Sequence, residues 1–248
     1  MTIPLRIEDA GTLTFGSLFS GIGGFDLGFE RAGMSCKWQV EIDPYCQRVL
    51  AKHWPNVRRH GDIRTFEPTT VDVVCGGFPC QDISSLGKRR GVKNGTRSGL
   101  WSEMHRIICC IRPRFVVVEN VSEITFRGLD TVLGDLAASG YDAEWTCISP
   151  CQLGAPQQRD RLWVVAHAND RDVGMLSRVR RDIFGKGRAV GQIAAQDIAE
   201  GDWWATEPAL GRVANGVPDW VASVKRCGNA VVPQIAEWIG RRLMEKLK

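Results

Sequence analysis

A thiol and a carboxyl stand at the ends of two apolar runs, and their types suit covalent chemistry. Val73-Val74-Cys75-Gly76-Gly77-Phe78-Pro79-Cys80-Gln81-Asp82 reads as a buried strand that opens through two glycines, where the backbone turns sharply, into a turn carrying Cys80. Pro79 fixes one φ angle and gives a nucleophile a stiff support. Phe115-Val116-Val117-Val118 is a continuous apolar run, hence a strand buried on both faces, and it ends in Glu119-Asn120-Val121, a second reactive group at a strand tip. A lone cysteine is more often a buried structural residue, so chemistry at Cys80 must be supported by its surroundings. Hydrolysis by a thiol would call for a histidine partner, yet His53, His60, His105 and His167 fall in helices or at strand edges with no local signature.

The elements that must position these groups alternate between strand and helix. Leu13 to Phe19 reads as a strand, followed by Ser20-Gly21-Ile22-Gly23-Gly24 and a helical pattern through Phe25, Leu27, Phe29 and Ala32 that stops at Gly33. Strand, glycine turn and helix open a nucleotide-type site, but no third glycine stands at the dinucleotide position. This weakens a pyrophosphate reading, leaves room for a ligand without phosphates, and disfavours a dehydrogenase. A strand over Cys36 to Val40 ends in Glu41, 20 positions after Gly21, where an acid can grip ribose hydroxyls. Asp43-Pro44 caps a helix reaching about His53, and Asp62 follows Gly61 where another strand tip should fall. Helices are expected from about Leu100 to Ile111, through Leu129, Val132, Leu133 and Leu136, and through Ile235, Ile239 and Leu243, with further strands near 143–148 and 161–166. This alternation predicts an α/β fold with a doubly wound, Rossmann-like sheet. A thiol and a carboxyl at strand tips beside an adenosine-type pocket fit methyl transfer by a cysteine nucleophile better than hydrolysis.

With 248 residues, 44% of them hydrophobic, the chain can bury a full core, and no run of 18 or more apolar residues exists. No leader pattern opens it, so no membrane role and a cytoplasmic setting are expected. Nine cysteines, with Cys109 and Cys110 adjacent and no CxxC pair, support neither a disulfide framework nor a zinc ribbon, and no metal is expected. The net charge is only +4, yet Lys88, Arg89, Arg90, Lys93 and Arg97 lie together without an acid, and Arg171 to Arg188 holds six basic residues against Asp172 and Asp182. One such run would read as a solvated face. Two flanking a reactive thiol favour nucleic acid as the partner.

The motifs together resemble the DNA cytosine C5-methyltransferases. The resemblance is carried by Phe19-Ser20-Gly21-Ile22-Gly23-Gly24, Glu41, Gly61-Asp62-Ile63, Gly77-Phe78-Pro79-Cys80-Gln81, Glu119-Asn120-Val121, Gln157-x-Arg159-x-Arg161 and Gly228-Asn229-Ala230-Val231-Val232. It implies an S-adenosylmethionine-dependent enzyme that methylates C5 of a flipped-out cytosine in duplex DNA. Cys80 would add to ring carbon C6, Glu119 would assist at N3, Arg161 would hold O2 and Arg159 would help position the loop and thiol. The cofactor would be held by Phe19, Gly21, Gly23, Glu41, Ile42, Asp62, Ile63, Pro79, Leu100, Asn229, Ala230 and Val231. DNA would be met by the loop from Gln81 to Gly99, through Gln81, Ser84, Lys88, Arg89, Arg90 and Arg97, and by Arg178, Arg180, Arg181 and Gln192 further on. The resemblance implies double-stranded DNA as partner, a monomer, and a setting in the bacterial or phage-infected cytoplasm, with a cognate restriction endonuclease left open. Methylation of transfer RNA and an inactive DNA-binding module on the same fold are the alternatives.

Residues 1–168, completed by 226–248, would form the catalytic and cofactor-binding domain, and 169–225 a small, irregular target-recognition domain. Only 43 residues separate Ala168 from Arg212, short for such a region in the family, and some of them, such as Ile183, Phe184, Trp203 and Trp204, must anchor it. A recognition site of about two to four base pairs, with guanine as a neighbour of the target, is the corresponding expectation.

Overall fold

The computed structural model of the chain describes residues 12–79, 99–155, 158–169, 183 and 228–246. Strands β1 (Thr14–Leu18), β2 (Ser35–Val40), β3 (Arg58–His60), β4 (Val73–Gly76), β5 (Phe115–Val121), β6 (Tyr141–Ile148) and β7 (Arg161–Ala168) form one sheet in the order β3-β2-β1-β4-β5-β7-β6. The pairs from β3 to β5 are all parallel, and β7 runs antiparallel between β5 and β6. Strand order departs in opposite directions from β1 and β4, so the crevice that α/β sheets use for ligands opens beyond the carboxyl ends of these two strands. The Phe19–Gly24 turn leaves β1 there, and Gly77-Phe78-Pro79 leaves β4 there.

Side-chain alternation divides the core into two layers. Val74, Val116, Val118, Leu162 and Val164 face helices α3 (Leu100–Ile111) and α4 (Leu129–Ala138), which bury Trp101, Met104, Ile107, Ile108, Val132 and Leu136 against them. Phe15, Val73, Cys75, Val117, Trp163 and Val165 face α1 (Gly24–Arg31) and the last helix, α5 (Pro233–Glu245). Helix α2 (Pro44–His53) begins where expected, because the Asp43 carboxylate accepts from the backbone N–H groups of Tyr45 and Cys46 and Pro44 needs no partner at the first turn. Tight α1–α5 packing rests on missing side chains: a Cβ on Gly28 would lie 2.3 Å from the Pro233 carbonyl oxygen, and one on Gly240 would lie 2.8 Å from Ala32 Cβ.

One expectation needs correction. The apolar stripe of α1 does not include Leu27, which is 37% exposed; Asp26 is fully buried in its place. The helix is turned by about one position because its glycines must meet α5, and Asp26 is tolerated because Ser17 Oγ (3.1 Å) and Gln39 Nε2 (2.8 Å) donate to it. Burial still pushes its carboxyl up to about 6. Strand β5 ends in Glu119-Asn120-Val121 as expected, and β7 pairs with it as far as Arg161.

Candidate active site

Backbone strain marks the start of the crevice. Phe19, Gly21 and Gly23 all have positive φ (53°, 56° and 89°), and Phe19 is one of two non-glycine residues so placed among the described residues. A Cβ on Gly23 would strike the Trp54 ring at 2.4 Å, so the close approach as well as the φ angle requires glycine. Glu41 at the end of β2 fastens the turn: the N–H of Gly21 donates to Oε2 and that of Asp43 to Oε1, each at 2.7 Å. Each oxygen keeps a second acceptor site. Beside it the apolar side chain of Ile42 is 67% exposed. Asp62 follows β3, while Ile63 is 5% exposed and buried in the α3–α4 layer; Arg64 donates to both oxygens of Asp62 and holds its carboxyl down at about 2. On the far wall Gly24 lets the backbone of Val231 approach, since a Cβ there would lie 2.3 Å from its carbonyl oxygen. The strained glycine turn, an anchored carboxylate with spare lone pairs and the exposed Ile42 leave a crevice with room for an adenosyl group without phosphates.

The reactive end lies one strand over. Arg161 pairs across the sheet with Val121, and Glu119 is two positions back on the same face, so a long side chain can reach the carboxylate diagonally. Arg161 Nε lies 3.3 Å from Glu119 Oε1. Glu119 is 7% exposed, and burial pushes its carboxyl up to about 7 despite the opposing charges of Arg161 and Arg159. Burial and the neighbouring Arg161 together hold the Arg159 guanidinium below its ordinary range. Gly76 and Gly77 work differently from the expected sharp turn: neither has positive φ. They are needed for close approach, since Cβ atoms there would lie 2.7 Å from the Leu18 carbonyl oxygen and 2.9 Å from Glu119 Oε2. The segment leading to Cys80 is thus pressed against Glu119.

Cys80 itself, Gln81, Ser84, Lys88, Arg89, Arg90, Arg97, Gln157, Arg178, Arg180, Arg181, Gln192, Phe184, Trp203 and Trp204 lie outside the described residues. Ile183 is 3% exposed among the α1–α5 layer, and its N–H donates to Glu144 at 3.0 Å, an anchoring contact as expected. Sequence reasoning missed two supports. Asn120 Nδ2 donates to the Phe78 carbonyl oxygen at 3.2 Å, tying the glycine segment to β5; it stood in a quoted motif without a role. Ser149 caps the turn Pro150–Leu153 reciprocally with Gln152, and its hydroxyl accepts from the Arg159 N–H at 3.1 Å. That pair has the S-x-x-Q pattern of a capping box, a signal readable in the sequence. Among the described residues no cluster of metal-ligating groups occurs and no helix is long and apolar enough to cross a membrane.

A parallel sheet with one reversed strand between β5 and β6, and a crevice at the carboxyl ends of β1 and β4, match the Rossmann-like fold of S-adenosylmethionine-dependent methyltransferases. Spodoptera frugiperda DNMT2, in a triple-mutant crystal structure, has this fold: the TM-score is 0.54 at 20% identity, covering 64% of this chain and 51% of that one. Residues 13–205 match the C-5 cytosine-specific DNA methylases, and the chain belongs to that family. The type II methyltransferase M.MspI of Moraxella sp is 35% identical over 162 residues, 62% of this chain and 38% of that protein. M.HhaI of Haemophilus parahaemolyticus is 30% identical over 178 residues, 69% of this chain and 54% of that protein. The chain therefore matches about half or less of the length of these relatives.

Proposed function

We propose that the chain transfers a methyl group to C5 of a cytosine in duplex DNA. The observation that carries this reading is a buried carboxyl, Glu119, held 3.3 Å from Arg161 and against the glycine segment that runs into Cys80, where burial pushes its pKa up to about 7. S-adenosylmethionine, when bound at Phe19, Glu41, Asp62 and the 229–231 wall, would supply an electrophilic methyl group. The thiolate of Cys80 adds to C6 of the ring, which makes C5 nucleophilic. Glu119 near neutrality can keep the proton that a hydrogen bond to ring N3 requires, and Arg161 balances negative charge growing on the ring and O2. C5 would then take the methyl group, its bond to the sulfonium sulfur breaking to leave a neutral thioether, and loss of the C5 proton to water would break the C6–S bond, release the Cys80 thiolate and restore the aromatic ring. A stacked cytosine cannot reach the crevice, so the base must rotate out of the duplex at a cost of a few kcal/mol. The basic stretch from Lys88 to Arg97 is proposed to take the phosphates, and Arg178, Arg180 and Arg181 to meet bases or backbone.

Incubation with labelled S-adenosylmethionine and separate duplex DNA and RNA tests the reading. Label is expected on DNA cytosine in the wild type and absent with Cys80→Ala, while a duplex carrying 5-fluorocytosine at the target should trap a denaturant-resistant adduct with the wild type alone. Label on RNA only, or turnover by Cys80→Ala, would overturn it.

A further inference from the structure

Arg159 belongs to the Gln157-x-Arg159-x-Arg161 stretch before β7, and its expected work is to help position the loop and thiol. Its contacts reach the other pocket. Nη1 donates to the Ala230 carbonyl oxygen at 2.8 Å, across 71 positions of chain. Its backbone N–H donates to Ser149 Oγ at 3.1 Å, and Ser149 is 5% exposed and fixed by its own cap. The side chain is therefore anchored at its root and at one tip of its planar fork. Nε and Nη2 are buried without a protein partner among the described residues.

Ala230 stands in the middle of the Asn229-Ala230-Val231 segment. Gly24 sets how near one flank of that segment can come, through its contact with Val231. The other flank is held by Arg159. We infer that Arg159 positions the C-terminal wall of the cofactor pocket, so that a side chain of the base pocket also sets cofactor affinity; this rests on the cofactor site proposed above. A hydrogen bond to a charged donor is worth roughly tenfold or more in an equilibrium, and leaving the carbonyl unpartnered lets the wall shift. Part of that factor passes to any ligand the wall touches.

The test reads cofactor binding without DNA, which a role confined to cytosine would not move. Full-length wild type, Arg159→Lys, Arg159→Met and Ser149→Ala are titrated calorimetrically with S-adenosylhomocysteine, and their melting temperatures are recorded. Kd should rise about five- to thirtyfold in the Arg159 variants, most in Arg159→Met, because lysine keeps the charge but lacks the fork. Ser149→Ala should raise it a few fold, with melting temperatures kept within a few degrees. Unchanged Kd in folded Arg159 variants, with only kcat reduced, overturns the inference, as does a loss of affinity that merely follows loss of melting temperature. Should the Arg159 variants not fold, Ser149→Ala decides, and an unchanged Kd there is equally fatal. Failure of the wild type to bind S-adenosylhomocysteine sinks the cofactor site itself, whereas normal wild-type binding with unaffected variants sinks this inference alone.

Discussion

Replacing Glu119 by glutamine should remove a pH dependence of folding stability worth about 3 kcal/mol between pH 5 and pH 8. Burial raises the carboxyl from an ordinary 4.5 to about 7 in the folded chain. A folded pKa above the unfolded one means that the fold favours the neutral form: the contribution is fully present below about 4.5 and is lost as pH rises through about 7. At 1.36 kcal/mol per unit, that span gives roughly 3 kcal/mol. Asp26, raised to about 6, titrates in the same direction, but it is present in both proteins and cancels in their difference. Glutamine keeps the shape and the neighbouring Arg161 while removing the proton equilibrium. Urea denaturation of both proteins at pH 5, 6, 7 and 8 gives the difference curve, in which Glu119→Gln should gain on the wild type as pH rises. A constant difference across the range would refute the claim that Glu119 is folded in as a neutral carboxyl near neutrality.

Gly28→Ala sets a helix-propensity gain of about 1 kcal/mol against backbone overlap with α5, and the overlap should win by about 1–3 kcal/mol because a main-chain carbonyl 2.3 Å away cannot yield. A thermal midpoint at or above the wild type would contradict that packing. Glu41→Ala should weaken S-adenosylmethionine binding by roughly 1.5–3 kcal/mol and leave DNA affinity nearly unchanged, since a charged acceptor is lost and two backbone N–H groups are released; calorimetric titration decides. Bisulfite sequencing of plasmid DNA from cells expressing the chain should show methylation at a site of about two to four specified base pairs, and a motif of six or more would show that 43 residues read far more than their number suggests.

Most of the frame was legible because its signals are local. Asp43-Pro44 caps α2 as its residue types demand, and the continuous valines of β5 lie buried on both faces. What escaped was set by partners distant in sequence. The facing of α1 depends on Gly28 meeting Pro233, and Asp26 can enter the core only because Ser17 and Gln39 wait there. In the site, the residue types at Glu119, Arg161, Glu41 and Gly77 were readable, but the reason for Gly77 was not: its missing side chain makes room for Glu119, 42 positions away. Ser149 had a readable cap pattern, yet its bond to Arg159 crosses a loop whose closure the sequence alone does not reveal.

The contact between Gly24 and Val231 has a consequence in time. The two walls it joins are 207 positions apart, and a ribosome adding roughly 5–20 residues per second separates their synthesis by about 10 to 40 seconds. Over that interval the strained turn at Phe19 and the Glu41 clasp exist without their opposite wall. Bringing the far segment home closes a very long loop, an entropic step that follows most of the sheet rather than leading it. Cofactor affinity should therefore be among the last properties the growing chain acquires, and a chain released before α5 would keep much of the sheet yet hold an adenosyl ligand on one side only.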